Sequence, residues 1–237
     1  MTPITSITST ERIVRSLLLS LLVDVFAVMY LYDGYVGYPQ KNAVQFASLF
    51  GRSAAEAPAP NPQITAERGR RLAESLRPGE TLDKLSAELG PPTVRQDDAA
   101  YFLGPGGWLK VELDRDHVRA AKWFDGPYTE SDQSIQRLIG YILVVVGFAA
   151  TLNLGRVIAT RAQLTEAGLQ VTGRPLVPFE SMTALRSSSS AAGVSELDYT
   201  HNDQSATLRL DPYLYKNAAA ISQAIGDRKG FSDATPA

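Results

Sequence analysis

Residues 16–38 read SLLLSLLVDVFAVMYLYDGYVGY, an apolar run with a carboxylate, Asp24, near its middle, and a second, Asp33, among the tyrosines crowding its end. The apolar part begins at Ile13 and runs to Tyr32. As an α-helix of about 20 residues it rises about 30 Å, the thickness of a bilayer's hydrocarbon core. A second run, Ile135 to Gly155, contains LIGYILVVVGFAATLNLG and is of similar length. The chain is therefore expected to divide around two transmembrane α-helices, 13–33 and 135–155. A secretory signal peptide is the alternative for the first run, with a shorter apolar core and small residues at the cleavage site. Here the bulky MYLYDGYVGY stands at that place, which favours an uncleaved anchor.

The flanks indicate an orientation. Tyr30, Tyr32, Tyr35 and Tyr38 gather after the first run, and Trp123 and Tyr141 mark the start of the second. Such aromatic belts sit at membrane–water interfaces. Arg12 and Arg15 stand at the start of the first run and Arg156 and Arg161 follow the second, against Lys41 and Lys122 between the runs and Arg137 at the start of the second. Basic residues favour the cytoplasmic side, so both termini, including an N-terminal tail 1–12, are expected inside and residues 34–134 outside.

Composition excludes several classes. The 237 residues carry 23 Lys and Arg against 25 Asp and Glu, so there is no basic excess for nucleic acid. Cysteine is absent, which removes disulfides, thiolate nucleophiles, cysteine zinc sites and lipidated cysteines. The two histidines, His117 in DRDH and His201 in THNDQ, both read as turn residues. No GxxxxGK[ST], GxSxG or HExxH occurs. Neither catalytic residues, a cofactor site nor a metal site is expected, and the protein reads as non-enzymatic.

After the first span, residues 34–63 form a juxtamembrane segment and an Ala/Pro-rich linker, Ser53–Gln63, with Val44, Phe46, Ala47 and Phe50 as the apolar positions of a short amphipathic helix. An α+β domain, two helices plus a three-strand antiparallel meander, is expected over 64–125. In ITAERGRRLAESL, Ile64, Leu72 and Leu76 share a helical face. In GETLDKLSAELGPP, Thr81 is placed to cap, Leu82, Leu85 and Leu89 form the stripe, and Gly90–Pro91 stop the helix. Leu109, Val111 and Leu113 then alternate with Trp108, Lys110 and Glu112, between turns at GPGG and DRDH.

LRPGETLDKLSAELGPP followed by AYFLGPGGWLKVELDRDHVRAAKW resembles the small domain of the BamE/SmpA family over about 60 residues. The resemblance implies a binding domain. The cysteine that anchors those lipoproteins has no counterpart here.

Beyond the second span, Ala162–Thr165, Leu169–Thr172, PLVPFESMTALR, VSELDYT and ATLRLD read as strands, and YLYKNAAAISQAIGDR as a closing helix striped by Leu214, Ala218, Ile221 and Ile225. LTEAGLQV, VPFESMTAL, LDYT and LRLDPYLYKNAAAISQAI together resemble a bacterial pleckstrin-homology-type (PH-like) domain, here 160–228, before a flexible tail 229–237. That resemblance implies a β-rich domain capped by one helix. Some relatives bind phosphoinositides through basic loops. Here the TEAG hairpin offers Glu166 and RSSSSAAG only Arg186, so protein partners are expected instead.

Asp24 is the sharpest residue. A carboxylate at membrane depth is costly and marks a functional contact by default. One account satisfies it within its own helix through Ser20, one turn earlier; the other gives it to another helix or subunit. Gly147, Thr151 and Gly155, at four-residue spacing, would form a small-residue ridge for close helix approach. Asp24, Ser20, Gly147, Thr151 and Gly155 are thus the candidates for a helix–helix interface. The expected role is an accessory or scaffolding subunit of a membrane complex, in contact with the bilayer and with membrane protein partners, self-association included. A membrane sensor with a ligand at the external domain is the alternative.

Overall fold

The computed structural model describes residues 3–187 and 193–231. In chain order the elements are strand β1 (Ile4–Ile7), helix α1 (Thr10–Tyr32), a π turn (Asp33–Gly37), α2 (Tyr38–Ser48), α3 (Ala66–Ser75), α4 (Leu82–Leu89), β2 (Val94–Arg95), β3 (Ala99–Gly104), β4 (Gly107–Asp114), β5 (His117–Asp125), α5 (Glu130–Ala159), β6 (Arg161–Leu164), β7 (Gly168–Val171), β8 (Val177–Pro178), β9 (Met182–Ser187), β10 (Ser195–His201), β11 (Gln204–Leu210) and α6 (Ala218–Lys229). Two helical runs, Thr10–Ser48 and Glu130–Ala159, are long and apolar enough to cross a membrane, and only 11% of each apolar window is buried. A core helix of a soluble domain would be mostly covered, so these runs keep their apolar flanks open. Two compact units divide the chain: Asp24–Val145, and the described residues on either side of it.

In the first of these units, α2 follows α1 without a break. The π turn has a local cause. Pro39 has no N–H and its ring crowds the carbonyl four residues back, so the helix widens by one residue there. Tyr38 N–H accordingly bonds to Asp33 O, five residues earlier. The four strands β2-β3-β4-β5 form one antiparallel sheet. The sequence indicated three strands; the fourth, Val94–Arg95, is a short edge too brief to show a period.

Both faces of that sheet are covered. On one, Ala100, Phe102, Leu109, Val111 and Trp123 pack with Ile64, Leu82, Leu85 and Leu89 from the α3–α4 side. On the other, Leu103, Trp108 and partly buried Tyr101 and Phe124 meet Ala43 and Phe46 of α2, with Phe50 just beyond it. α2 is therefore part of this domain's core, and the packed unit reaches back before residue 64. The turn at GPGG joins Gly104 to Gly107, and DRDH joins Asp114 to His117. His117 Nδ1 lies 3.1 Å from Gly79 O, fastening that turn to the α3–α4 connection.

The other unit holds two sheets, β1-β6-β7-β8 and β11-β10-β9. Their inner faces, with Leu164, Leu169, Leu197, Leu208 and Leu210, close over one core with Ile221 and Ile225 of α6. β10 and β11 are joined by Asn202 and Asp203, both at positive φ (50° and 60°), the conformation of a two-residue hairpin turn.

The N-terminal tail expected at 1–12 is not a tail. Ile4–Ile7 pairs antiparallel with Arg161–Leu164 as an edge strand. Asn217 N–H donates to Ser6 Oγ at 2.8 Å, and Lys216 N–H to Ile7 O at 3.0 Å, so β1 is held on both sides. Thr8 Oγ1 lies 2.5 Å from Val157 O and 3.1 Å from Thr160 O, at the end of α5, where Val157 O also accepts Thr160 N–H at 3.3 Å. Ser9 Oγ receives Arg12 N–H at 3.3 Å and starts α1. A four-residue strand with one buried side chain carries almost no periodic signal, which is why the sequence left it as a tail. The loop RSSSSAAG lies largely outside the described residues. α6 runs to Lys229, and the expected tail beyond residue 231 lies outside them too.

Candidate functional site

The less exposed positions of the two long helices fall at heptad spacing, a seam on each, and the helices touch within each unit, Ser20 with Thr151 in one and Leu31 with Gly140 in the other. The least exposed positions of α1 and the π turn are Ile13, Ser16, Ser20, Val23, Ala27, Tyr30, Gly34 and Gly37, alternately three and four apart. On α5 they are Gly140, Leu143, Gly147, Ala150, Leu154 and Val157, with the same alternation. Alternating steps of three and four keep a stripe aligned with a partner helix. Small residues recur on it every seven: Ser20, Ala27 and Gly34 on one helix, Gly140 and Gly147 on the other. At Gly140, a Cβ would lie 2.7 Å from the Leu31 side chain and 3.1 Å from Leu31 N, so only glycine permits that approach.

This arrangement sorts the expected residues. Ser20 is 4% exposed, and its hydroxyl pairs with Thr151 Oγ1 at 2.9 Å. Gly147 is buried on the seam. Gly155 is exposed, and a Cβ there would meet nothing within 4 Å, so the four-residue ridge through Gly147, Thr151 and Gly155 is not the line of approach. The reason is geometric: steps of four overshoot the helical period by about 40° each, and the row winds off the contact. Asp24 is exposed and has no hydrogen bond among the described residues. Ser20, its expected local partner, is engaged with Thr151 instead.

A second feature lies wholly within the Asp24–Val145 unit. A cavity of about 910 Å³ opens between the π turn, α2, the Ala/Pro segment and the start of α5. Its wall is largely proline and alanine, including Pro39, Ala43, Pro58 and Pro60. Volume and apolar character both fall in the range of small-ligand pockets. Four polar side chains of α5 line it, Glu130, Gln133, Ser134 and Arg137, and three of them are tied into the surrounding structure.

Glu130, Gln133 and Arg137 are each held in place. Arg137 Nε donates to Gly34 O at 2.9 Å and Nη2 to Gln133 Oε1 at 3.2 Å. Gly34 O is available because its α-helical donor, Tyr38 N–H, is turned to Asp33 and the next residue is proline. The guanidinium lies over the Tyr35 ring at 4.6 Å. Gln133 Nε2 in turn donates to Pro105 O at 2.8 Å. Asn42, fully buried, donates to Pro105 O and Tyr128 O at 2.6 Å each and accepts from Tyr128 N–H at 3.1 Å. Glu130 Oε1 accepts Ala66 N–H at 2.6 Å, placing its charge against the N-terminus of α3.

A capping box closes one side of the wall. Glu56 Oε2 accepts Ser53 N–H at 2.9 Å and the Ser53 hydroxyl at 3.1 Å. These hydrogen bonds, the backbone one foremost, hold the Glu56 carboxyl below its ordinary value.

No protein-family model matches this chain, and no curated protein or solved structure matches it. Sequence reasoning missed the cavity. In the sequence Arg137 reads only as an orientation charge. The available signals are a proline in the first turn of a helix, Pro39, and a lone asparagine, Asn42, among the apolar positions of α2.

Proposed function

We propose that the chain is a two-pass protein of a bacterial inner membrane, a non-enzymatic accessory or scaffolding subunit that joins protein partners through an external α+β domain and a cytoplasmic PH-like domain. The observation that carries this reading is Asp24, exposed on a membrane-length helix whose own seam is already occupied. A carboxyl facing lipid is unfavourable, and a partner helix that donates to it removes that cost. The pairing of β1 with β6 supports a hairpin passage, since it requires the chain ends of both spans on one side. It also argues against cleavage after the first span, which would remove a strand from the C-terminal sheet. Four strands plus three, closed by a C-terminal helix, support the PH-like reading.

The test is complex recovery from mildly solubilised native membranes. Asp24→Leu is expected to insert normally and lose partner association, by about 1–2 kcal/mol for a polar contact between membrane helices. Asp24→Asn retains most of it, because an amide still donates and accepts. Unchanged recovery with Asp24→Leu rejects an interhelical role for the carboxyl. The sensor reading is favoured by one observation, the cavity in the external unit.

A further inference from the structure

We infer that this cavity binds a single-chain anionic amphiphile, with its acidic head on Arg137 and its hydrocarbon tail along the Pro/Ala wall. Charge complementarity chooses the occupant. Arg137 carries five N–H groups, and its hydrogen bonds to Gly34 O and Gln133 Oε1 use two, leaving three for an incoming oxyanion. No carboxylate forms an ion pair with Arg137 among the described residues. The carboxylate that shares the cavity, Glu130, stands seven residues earlier on α5, about 10 Å along the axis. It is engaged with the start of α3. The guanidinium is also fixed before any ligand arrives, by two hydrogen bonds and the Tyr35 ring, so little ordering cost remains on binding.

Beside Gln40, Thr65 and Ser134, the remaining wall is apolar, and the tail follows from that apolar part. Val36, Pro39, Ala43, Pro58 and Pro60 offer no side-chain hydrogen-bonding group, and proline lacks a backbone donor as well. A polar ligand of this volume would leave its donors and acceptors unpaired there. A hydrocarbon chain does not. Tyr35 and Arg137 also sit where the apolar runs end, the depth at which bilayer headgroups lie, so an amphiphile has a short path in. That route rests on the membrane reading; the ligand chemistry does not.

The experiment uses the full chain in phosphatidylcholine nanodiscs, with a fluorescent fatty acid displaced by unlabelled competitors and protein-free discs as the blank. A long-chain fatty acid and a lysophospholipid with a free phosphate head are both expected to displace the probe. A fatty alcohol of equal length is expected to be about tenfold or more weaker, the worth of a charge-assisted hydrogen bond. Arg137→Gln should erase that difference between acid and alcohol. Ala59→Trp, at an exposed position on the wall, should weaken both while leaving the tryptophan-detected melt of the domain unchanged. Equal affinity for acid and alcohol in the unaltered protein, displacement by inorganic phosphate alone, or binding unaffected by Ala59→Trp would each overturn the inference. Failure to enter nanodiscs at all would instead reject the membrane reading, so the two failures are distinct.

Discussion

Each of the two units is completed by a segment attached to α1, and the segments do it differently. β1, before α1, adds itself to a sheet through backbone pairing and hydroxyl contacts, with a single fully buried side chain, Ser6, on the strand. α2, after α1, adds itself through packing: Phe46 and Ala47 are fully buried, and Phe46 sits within 5.7 Å of the Trp108 ring and 5.1 Å of the Phe50 ring. One join is made of directional polar contacts, the other of apolar volume. Directional contacts fix register but each contributes about 1 kcal/mol net, whereas a fully buried phenylalanine contributes several times that.

Breaking the packed join should therefore cost most. Phe46→Ala removes the ring between α2 and the sheet, and is expected to destabilise the Asp24–Val145 unit by about 3–5 kcal/mol. Both tryptophans, Trp108 and Trp123, belong to this unit, so their fluorescence reports it alone. A shift of the tryptophan melt below about 1 kcal/mol would mean that α2 only rests on the sheet.

The polar join should give a smaller, local effect. Thr8→Val keeps shape and removes the hydroxyl that reaches Val157 O and Thr160 O. The expected loss is about 1–2 kcal/mol, confined to the strand-completed unit. Hydrogen–deuterium exchange checks it: amides in 161–171 should exchange faster while those in 99–114 stay as before. Faster exchange in both segments would show that the two joins are not independent.

The smallest effect concerns the wall of the cavity. Glu56 has its carboxyl value lowered by the folded turn, so its contribution is present above the ordinary glutamate range and is lost as pH falls through the lowered folded value. Exchange of the Ser53 and Glu56 amides is expected to accelerate relative to neighbouring turns as the solution is acidified into that range. Glu56→Gln should abolish this pH dependence. An unchanged acid response in that variant would assign it to another group.

These joins also explain what could be read in advance. The apolar positions named in α2 were legible because burial on one helical face leaves a period in the chain. The strand β1 was not, because backbone pairing asks little of side chains and ITSI alternates too briefly. On the spans, the sequence identified Ser20, Gly147 and Thr151 as polar or small residues in apolar surroundings. It could not choose the line of contact, since rows at four-residue and heptad spacing both pass through Gly147.

The sequence alone determined the two long apolar helices, their aromatic ends, the helix stop at Gly90 and the hairpin turns, because each depends on neighbours within a few residues. Only the tertiary structure decided that Ser20 turns to Thr151 while Asp24 faces outward, that β1 completes the sheet of β6, β7 and β8, and that Arg137 meets Gly34 beside an apolar cavity. Those depend on residues more than a hundred positions apart, and the direction a helix face takes is set by what packs against it, which a local pattern does not contain.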